Sequence, residues 1–169
     1  MVKYRGYNTS EKLLTFEEFK SLNKDASSLK FICSHNNKHI AIHFLDQDKI
    51  GKATLELILN DYKRENITNV IFISSTKVSS ACQSLIHSGI EIFKEEEMLY
   101  NITKHSLVPK HRILTKEEGS KVMDNYRLTV SQMPKILKRD PVCRFLGAES
   151  GDIVEITRVS RHSRGVGML

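Results

Sequence analysis

Asn69-Val70-Ile71-Phe72-Ile73 is an apolar run with no polar position after its first residue, as expected of a strand covered on both faces of a sheet. Upstream of it, Ile50, Ala53, Leu57 and Ile58 recur at helical spacing through Asp61. That spacing predicts a helix with one buried face, for which Asp48 can serve as cap. Downstream, Val78, Ala81, Cys82, Leu85 and Ile86 predict a second amphipathic helix ending at Gly89, and Ile90 to Phe93 a further strand. Farther upstream, Phe31–Ser34 and Ile40–Leu45 are β-rich runs joined by Asn36-Asn37-Lys38, the pattern of a hairpin. Thr15-Phe16-Glu17-Glu18 has the form of a capping box and predicts a short helix after Thr15. Strand, helix, strand, helix, strand is the order of a parallel or mixed α/β sheet.

After Glu95-Glu96-Glu97 the texture changes. Met98 to Ile102 reads as one more short strand, and Lys104-His105 opens a polar, Pro-containing connection. The domain boundary is therefore placed between residues 1–103 and 104–169. The second part is punctuated by caps. Thr115-Lys116-Glu117-Glu118 predicts a helix toward Tyr126, and Thr129-Val130-Ser131-Gln132 another carrying Ile136 and Leu137. Asp140-Pro141 sets a capping side chain before a proline at the first helical position, and the turn that follows stops at Gly147. Ser150-Gly151-Asp152 is a tight turn into Ile153-Val154-Glu155-Ile156, a strand alternating in and out. The expected fold class is an α/β domain followed by a small α+β domain.

At 169 residues with 40% hydrophobic and 27% charged, the chain can bury a core and is not a disordered polymer. No apolar run reaches the roughly 18–20 residues of a bilayer span, so no membrane partner is expected. The first twenty residues are polar and charged, which predicts no secretory leader and a cytosolic or nuclear site. Cys33, Cys82 and Cys143 are scattered, without a CxxC pair, and fit a reducing compartment. The N-x-S/T matches at Asn8, Asn66 and Asn101 read as chance. A net charge of +6 suggests an acidic partner, the basic residues gathering in Lys104–Arg112, Arg127–Arg144 and Arg158, Arg161, Arg164.

Cys33, His35, His39 and His43 fall close together, but they lack a second cysteine and the knuckle typical of zinc sites, and are read as ordinary hairpin side chains. There is no phosphate-cradling glycine loop, no nucleophile elbow and no convincing carboxylate pair. His105 and His111 flank Pro109 without a visible nucleophile partner. No catalytic residue, metal, cofactor or small-molecule substrate is expected.

The stretch Asn101-Ile102-Thr103-Lys104-His105-Ser106-Leu107-Val108-Pro109-Lys110-His111 resembles a junction in the common small subunit of eukaryotic nuclear RNA polymerases I, II and III, the Rpb5 family with its archaeal counterpart. The resemblance continues through Leu114–Glu118, Tyr126-Arg127-Leu128, Ser131–Ile136, Asp140-Pro141-Val142, Phe145-Leu146-Gly147, Gly151–Val154 and Ile156-Thr157-Arg158. More loosely, Arg5-Gly6-Tyr7, Phe16–Lys20, Lys49–Lys52 and Glu65–Thr68 resemble family stretches in the first half. The resemblance implies a non-catalytic polymerase subunit, with an N-terminal jaw domain near downstream DNA and a C-terminal assembly domain docked on the largest subunit. It implies other polymerase subunits as partners, and the nucleus, or the transcription compartment of a virus encoding its own polymerase, as location. It makes His105, Pro109, His111, Pro134, Asp140, Pro141, Gly147 and Gly151 docking candidates, although the prolines and glycines also have local structural reasons to be there.

Two departures from the family pattern stand out. Only Met1-Val2-Lys3-Tyr4 precedes the Arg5-Gly6-Tyr7 stretch, where the family usually has another helix. The end of the chain is Gly-rich and basic in place of a usual last strand, which predicts an unpaired edge at Ile153–Thr157. The alternative reading is a free-standing basic DNA-binding transcription regulator, which would show salt-sensitive duplex affinity. A metal-dependent nuclease is a third, and lacks a carboxylate set.

Overall fold

The computed structural model describes residues 1–9, 15, 17, 30–35, 38–45, 50–86 and 89–158. The chain divides into two compact units, Val2–Tyr100 and Asn101 onward.

In the first unit, β1 (Lys30–His35) and β2 (Lys38–Leu45) pair antiparallel, and β3 (Asn69–Ser74) and β4 (Ile90–Lys94) follow in parallel, in the order β1-β2-β3-β4. Every residue of β3 from Val70 to Ser74 is buried, as its unbroken apolar run requires of a central strand. Helix α1 (Lys52–Arg64) lays Leu55, Leu59 and Tyr62 on the sheet face formed by Ala41, Leu45, Val70, Phe72 and Ile90. The buried stripe is the predicted one only in part: Ile58 packs partly buried against this core and Ile50 is buried just before the helix in a bridge with Val78, but Leu57 is 68% exposed and Ala53 is exposed. Two i,i+4 ladders compete in this helix, and the one with the larger side chains faces the sheet. The helix begins after Gly51 without a side-chain cap. Asp48, the Asn36-Asn37 turn and most of the stretch after Thr15 lie outside the described residues.

The predicted helix between β3 and β4 is a 3-10 turn, Ser80–Leu85. Ser79 accepts from the Ala81 N–H at 3.4 Å and Ser84 donates to the Ala81 carbonyl at 2.9 Å, local bonds that compete with an α-helical ladder. Cys82 still fills the core beneath it. The predicted strand at Met98–Ile102 is likewise replaced by two 3-10 turns, Glu95–Met98 and Ile102–Lys104. Glu97 accepts from the Lys94 N–H at 2.8 Å and Asn101 from the Thr103 N–H at 3.0 Å, so side-chain acceptors bend the backbone where a strand would need it extended.

The sheet face opposite α1 carries Glu91, whose carboxylate takes a bidentate pair from Arg5, at 2.6 and 2.9 Å. Arg5 sits in an N-terminal 3-10 turn, Val2–Arg5, and its side chain is only 7% exposed.

In the second unit, β5 (Lys110–Ile113) pairs antiparallel with β6 (Val154–Thr157). Strand β6 thus has β5 along one edge; the last strand expected along its other edge would fall in residues 159–169, which are outside the described set. Helix α2 (Lys116–Tyr126) starts at a complete capping box: Thr115 accepts from the Glu118 N–H at 3.2 Å and Glu118 from the Thr115 N–H at 2.9 Å. Helix α3 (Pro141–Leu146) contributes Val142, Cys143 and Phe145 to the core, and Cys143 packs with Val154 and Ile156. Gly119 is buried inside α2, where a Cβ would meet the Ile153 Cδ1 at 2.9 Å.

The helix predicted from Thr129 does not form. Gln132 accepts from the Thr129 N–H at 2.9 Å, the half of a capping box that needs no helix, and the Gln132 N–H closes a turn on the Thr129 carbonyl at 3.0 Å. A helix starting at Val130 would need an N–H from Pro134 for the Val130 carbonyl, and proline has none. Proline also steers Met133 away from helical angles.

Candidate docking surface

The predicted docking residues separate by what holds them. The Asp140 side chain accepts from the Val142 and Cys143 N–H groups at 2.9 and 3.3 Å, and Pro141 occupies the first helical position. Gly147 ends α3 with φ 75°, in the left-handed region a glycine enters without strain, and its N–H returns to the Arg144 carbonyl. Gly151 has φ 98° in the turn that Asp152 closes by accepting from the Glu149 N–H at 2.7 Å. These four are fixed by local geometry. Burial, and secondarily the nearby Asp140 carboxylate, holds the Cys143 thiol above its ordinary pKa, so it is a packing group and not a ready nucleophile.

His105 and Pro109 lie on the connection into β5, His111 is within β5 opposite Ile156, and Pro134 is in the exposed loop before α3. His105 Nδ1 accepts from the Leu107 N–H at 3.2 Å, which leaves Nε2 to carry the proton of the neutral ring. The His111 Nδ1–H donates to the Pro109 carbonyl at 2.7 Å, which leaves its Nε2 as an acceptor when the ring is neutral. One ring thus offers an outward donor and the other an acceptor. Leu107 beside them is 85% exposed.

Sequence reasoning missed two features of this unit. The first is Arg112, which joins β5 to its surroundings by donating to Glu118 at 2.7 Å and Glu155 at 2.9 Å. Those bonds hold the Arg112 guanidinium above its ordinary range. Arg112, with the Thr115 N–H second, holds the Glu118 carboxyl below the usual carboxylate range. No strand is predicted around Arg112, and a lone arginine in a basic stretch gives no sequence signal of such a pairing. The second is the aliphatic group Val130, Ile136 and Leu137, which is exposed. Its signal is present in the sequence, aliphatics among lysines, but the predicted helix absorbs it.

The hairpin histidines do not converge. His39 stands opposite Ser34 and His43 opposite Lys30, on one face, while Cys33 and His35 point to the other. Among the described residues no three side chains of metal-binding type come together. His43 packs edge-on to Phe72, and its Nδ1 lies 2.9 Å from the Tyr62 hydroxyl. Burial first, and the Lys30 charge second, lower the His43 pKa; burial first, and Glu65 second, raise that of Tyr62.

Comparison with known proteins gives a family match and relatives along the chain. Residues 100–166 match the model of the RNA polymerase Rpb5 C-terminal domain. The subunit RPABC1 of DNA-directed RNA polymerases I, II and III from Caenorhabditis briggsae is 34% identical over 95% of this chain and 84% of its own length. Its counterpart from Caenorhabditis elegans is 34% identical over the same shares. Subunit 5B of DNA-directed RNA polymerases IV and V from Arabidopsis thaliana is 26% identical over 93% of this chain and 78% of its own length.

Proposed function

The chain belongs to the Rpb5 family of shared, non-catalytic subunits of DNA-directed RNA polymerase, and from that premise we propose how it serves the enzyme. The part from about Lys104 onward is the assembly domain and docks on the largest polymerase subunit; residues 1–103 are the jaw-like domain and lie near downstream DNA in the assembled complex. His105, Pro109, His111 and Pro134 belong to the docking surface, whereas Asp140, Pro141, Gly147 and Gly151 serve it by shaping α3 and the turn into β6. The protein works in the nucleus, in keeping with the polymerases named for its relatives.

The observation that carries this reading is similarity along 95% of the chain to a polymerase subunit, spanning both units and not the second alone. An exposed Leu107, whose N–H is held by His105, supports it, since an exposed aliphatic on a shaped turn suits a protein partner. The test is affinity capture of tagged full-length chain from its native cells, followed by a high-salt wash and mass spectrometry. The two largest polymerase subunits are expected to remain. Recovery of neither from folded protein, or of DNA alone at low salt, would overturn the reading, the latter in favour of a free-standing DNA-binding regulator.

A further inference from the structure

Residues 127–140 form a loop that exposes aliphatic side chains while its backbone is held in place. Val130 is 73% exposed and Leu137 62%, with Ile136 exposed beside them. The Thr129–Gln132 turn fixes one end, and at the other the Asp140 N–H donates to the Leu137 carbonyl at 2.9 Å. The aliphatics are therefore presented by a shaped segment and not by a freely moving one.

The charge around them is one-sided. Arg127, Lys135, Lys138 and Arg139 are exposed, and among the described residues none of the four enters an ion pair. The one carboxylate of the loop, Asp140, is engaged by two backbone N–H groups at the start of α3. Exposed aliphatics call for an apolar partner, and four cations without local counter-charges call for carboxylates around it. Nucleic acid would satisfy the cations alone, because Val, Ile and Leu offer a base no aromatic surface to stack on.

Resting on the polymerase-subunit reading above, we propose that the 127–140 loop docks a segment of another polymerase subunit that carries aliphatic side chains flanked by carboxylates. The aliphatics seat that segment and the cations set its polarity and register.

The test uses the full chain with a photo-crosslinking amino acid at Leu137, expressed in its native cells. Polymerase is captured, irradiated, and the crosslinked peptide sequenced by mass spectrometry. In parallel, a Lys135→Glu/Lys138→Glu/Arg139→Glu variant is compared with wild type and with Leu57→Ser, an exposed change in the other unit. A crosslink to an acidic, aliphatic protein segment is expected, with polymerase recovery by the triple variant falling roughly tenfold or more and Leu57→Ser unchanged. If the triple variant does not fold, the crosslink decides alone. Chain carrying the crosslinker at Leu137 that recovers polymerase but crosslinks to nucleic acid, to a neutral or basic segment, or to nothing overturns the loop proposal and leaves the subunit reading standing. Wild-type chain that recovers no polymerase overturns both.

Discussion

Gly119 offers a sharp test of how the second unit is packed. It lies inside α2, and an added Cβ would sit 2.9 Å from the Ile153 Cδ1, with the next atoms of that side chain at 3.6 and 3.7 Å. Two effects of Gly119→Ala oppose each other. Alanine favours the helix over glycine by about 0.8–1.0 kcal/mol. Forcing a methyl into a filled contact costs about 1–3 kcal/mol, and about 2 kcal/mol where, as here, the rest of the obstructing side chain is already in contact at 3.6 and 3.7 Å. The contact cost wins, and the single variant loses about 1 kcal/mol. Ile153→Val removes the one atom that is too close and leaves ordinary contacts, so in that background the same alanine stabilises α2 by about 0.8 kcal/mol. The two sites therefore couple by about 2 kcal/mol, well above the error of a double-mutant cycle. Native-state hydrogen exchange of the α2 amides is the suitable assay, because it reads the free energy of that element without assuming that both units unfold together. If Gly119→Ala changes α2 protection by the same amount in both backgrounds, the close contact with Ile153 does not govern this helix and the reasoning fails.

Other changes give equally definite expectations. Asp140→Ala should lower the stability of α3 by about 1 kcal/mol and Asp140→Asn by clearly less, read from exchange of the Val142 and Cys143 amides. His43 is held below its ordinary pKa of 6.5, so the unfolded chain binds its proton first. Its contribution is present above pH 6.5 and is lost as pH falls through the lower folded value; His43→Gln should flatten that acid limb in urea unfolding at stepped pH. Arg5→Met should destabilise the first unit by about 3 kcal/mol, because it leaves a partly buried Glu91 carboxylate without its cation, while Arg5→Met/Glu91→Gln should recover part of the loss in the same assay.

How much of this can be read in the sequence depends on whether the deciding interactions are local. Asp140, Pro141 and Gly147 are legible because a cap, a first-turn proline and a left-handed stop act within a few residues of one another. The β3 run is legible because burial on both faces removes every polar position but its edge. By contrast, apolar spacing puts Ile58 on the packed side of α1 but picks Ala53–Leu57 over Leu55–Leu59, which have the same spacing and between which only the sheet decides. Ser79 and Ser84 turn one predicted helix into a 3-10 turn and Pro134 abolishes another, both by backbone hydrogen bonding that apolar periodicity ignores. Strand β5, Lys-His-Arg-Ile, has too little apolar alternation to announce itself and exists by pairing with a segment far along the chain. The same error hides part of the candidate surface: once Ile136 and Leu137 are assigned to a helix, their exposure goes unconsidered.

The clasp between Arg5 and Glu91 joins residues 86 positions apart. During synthesis the arginine leaves the ribosome long before its partner exists, so the beginning of the chain cannot be fastened until the last strand of the sheet has emerged. Closing so long a loop is entropically costly until the sheet itself draws the two ends together. A clasp made after the rate-limiting step of folding would set how slowly the finished unit comes apart: replacing Arg5 should accelerate unfolding and leave the folding rate nearly untouched, as read from the two limbs of a denaturant chevron.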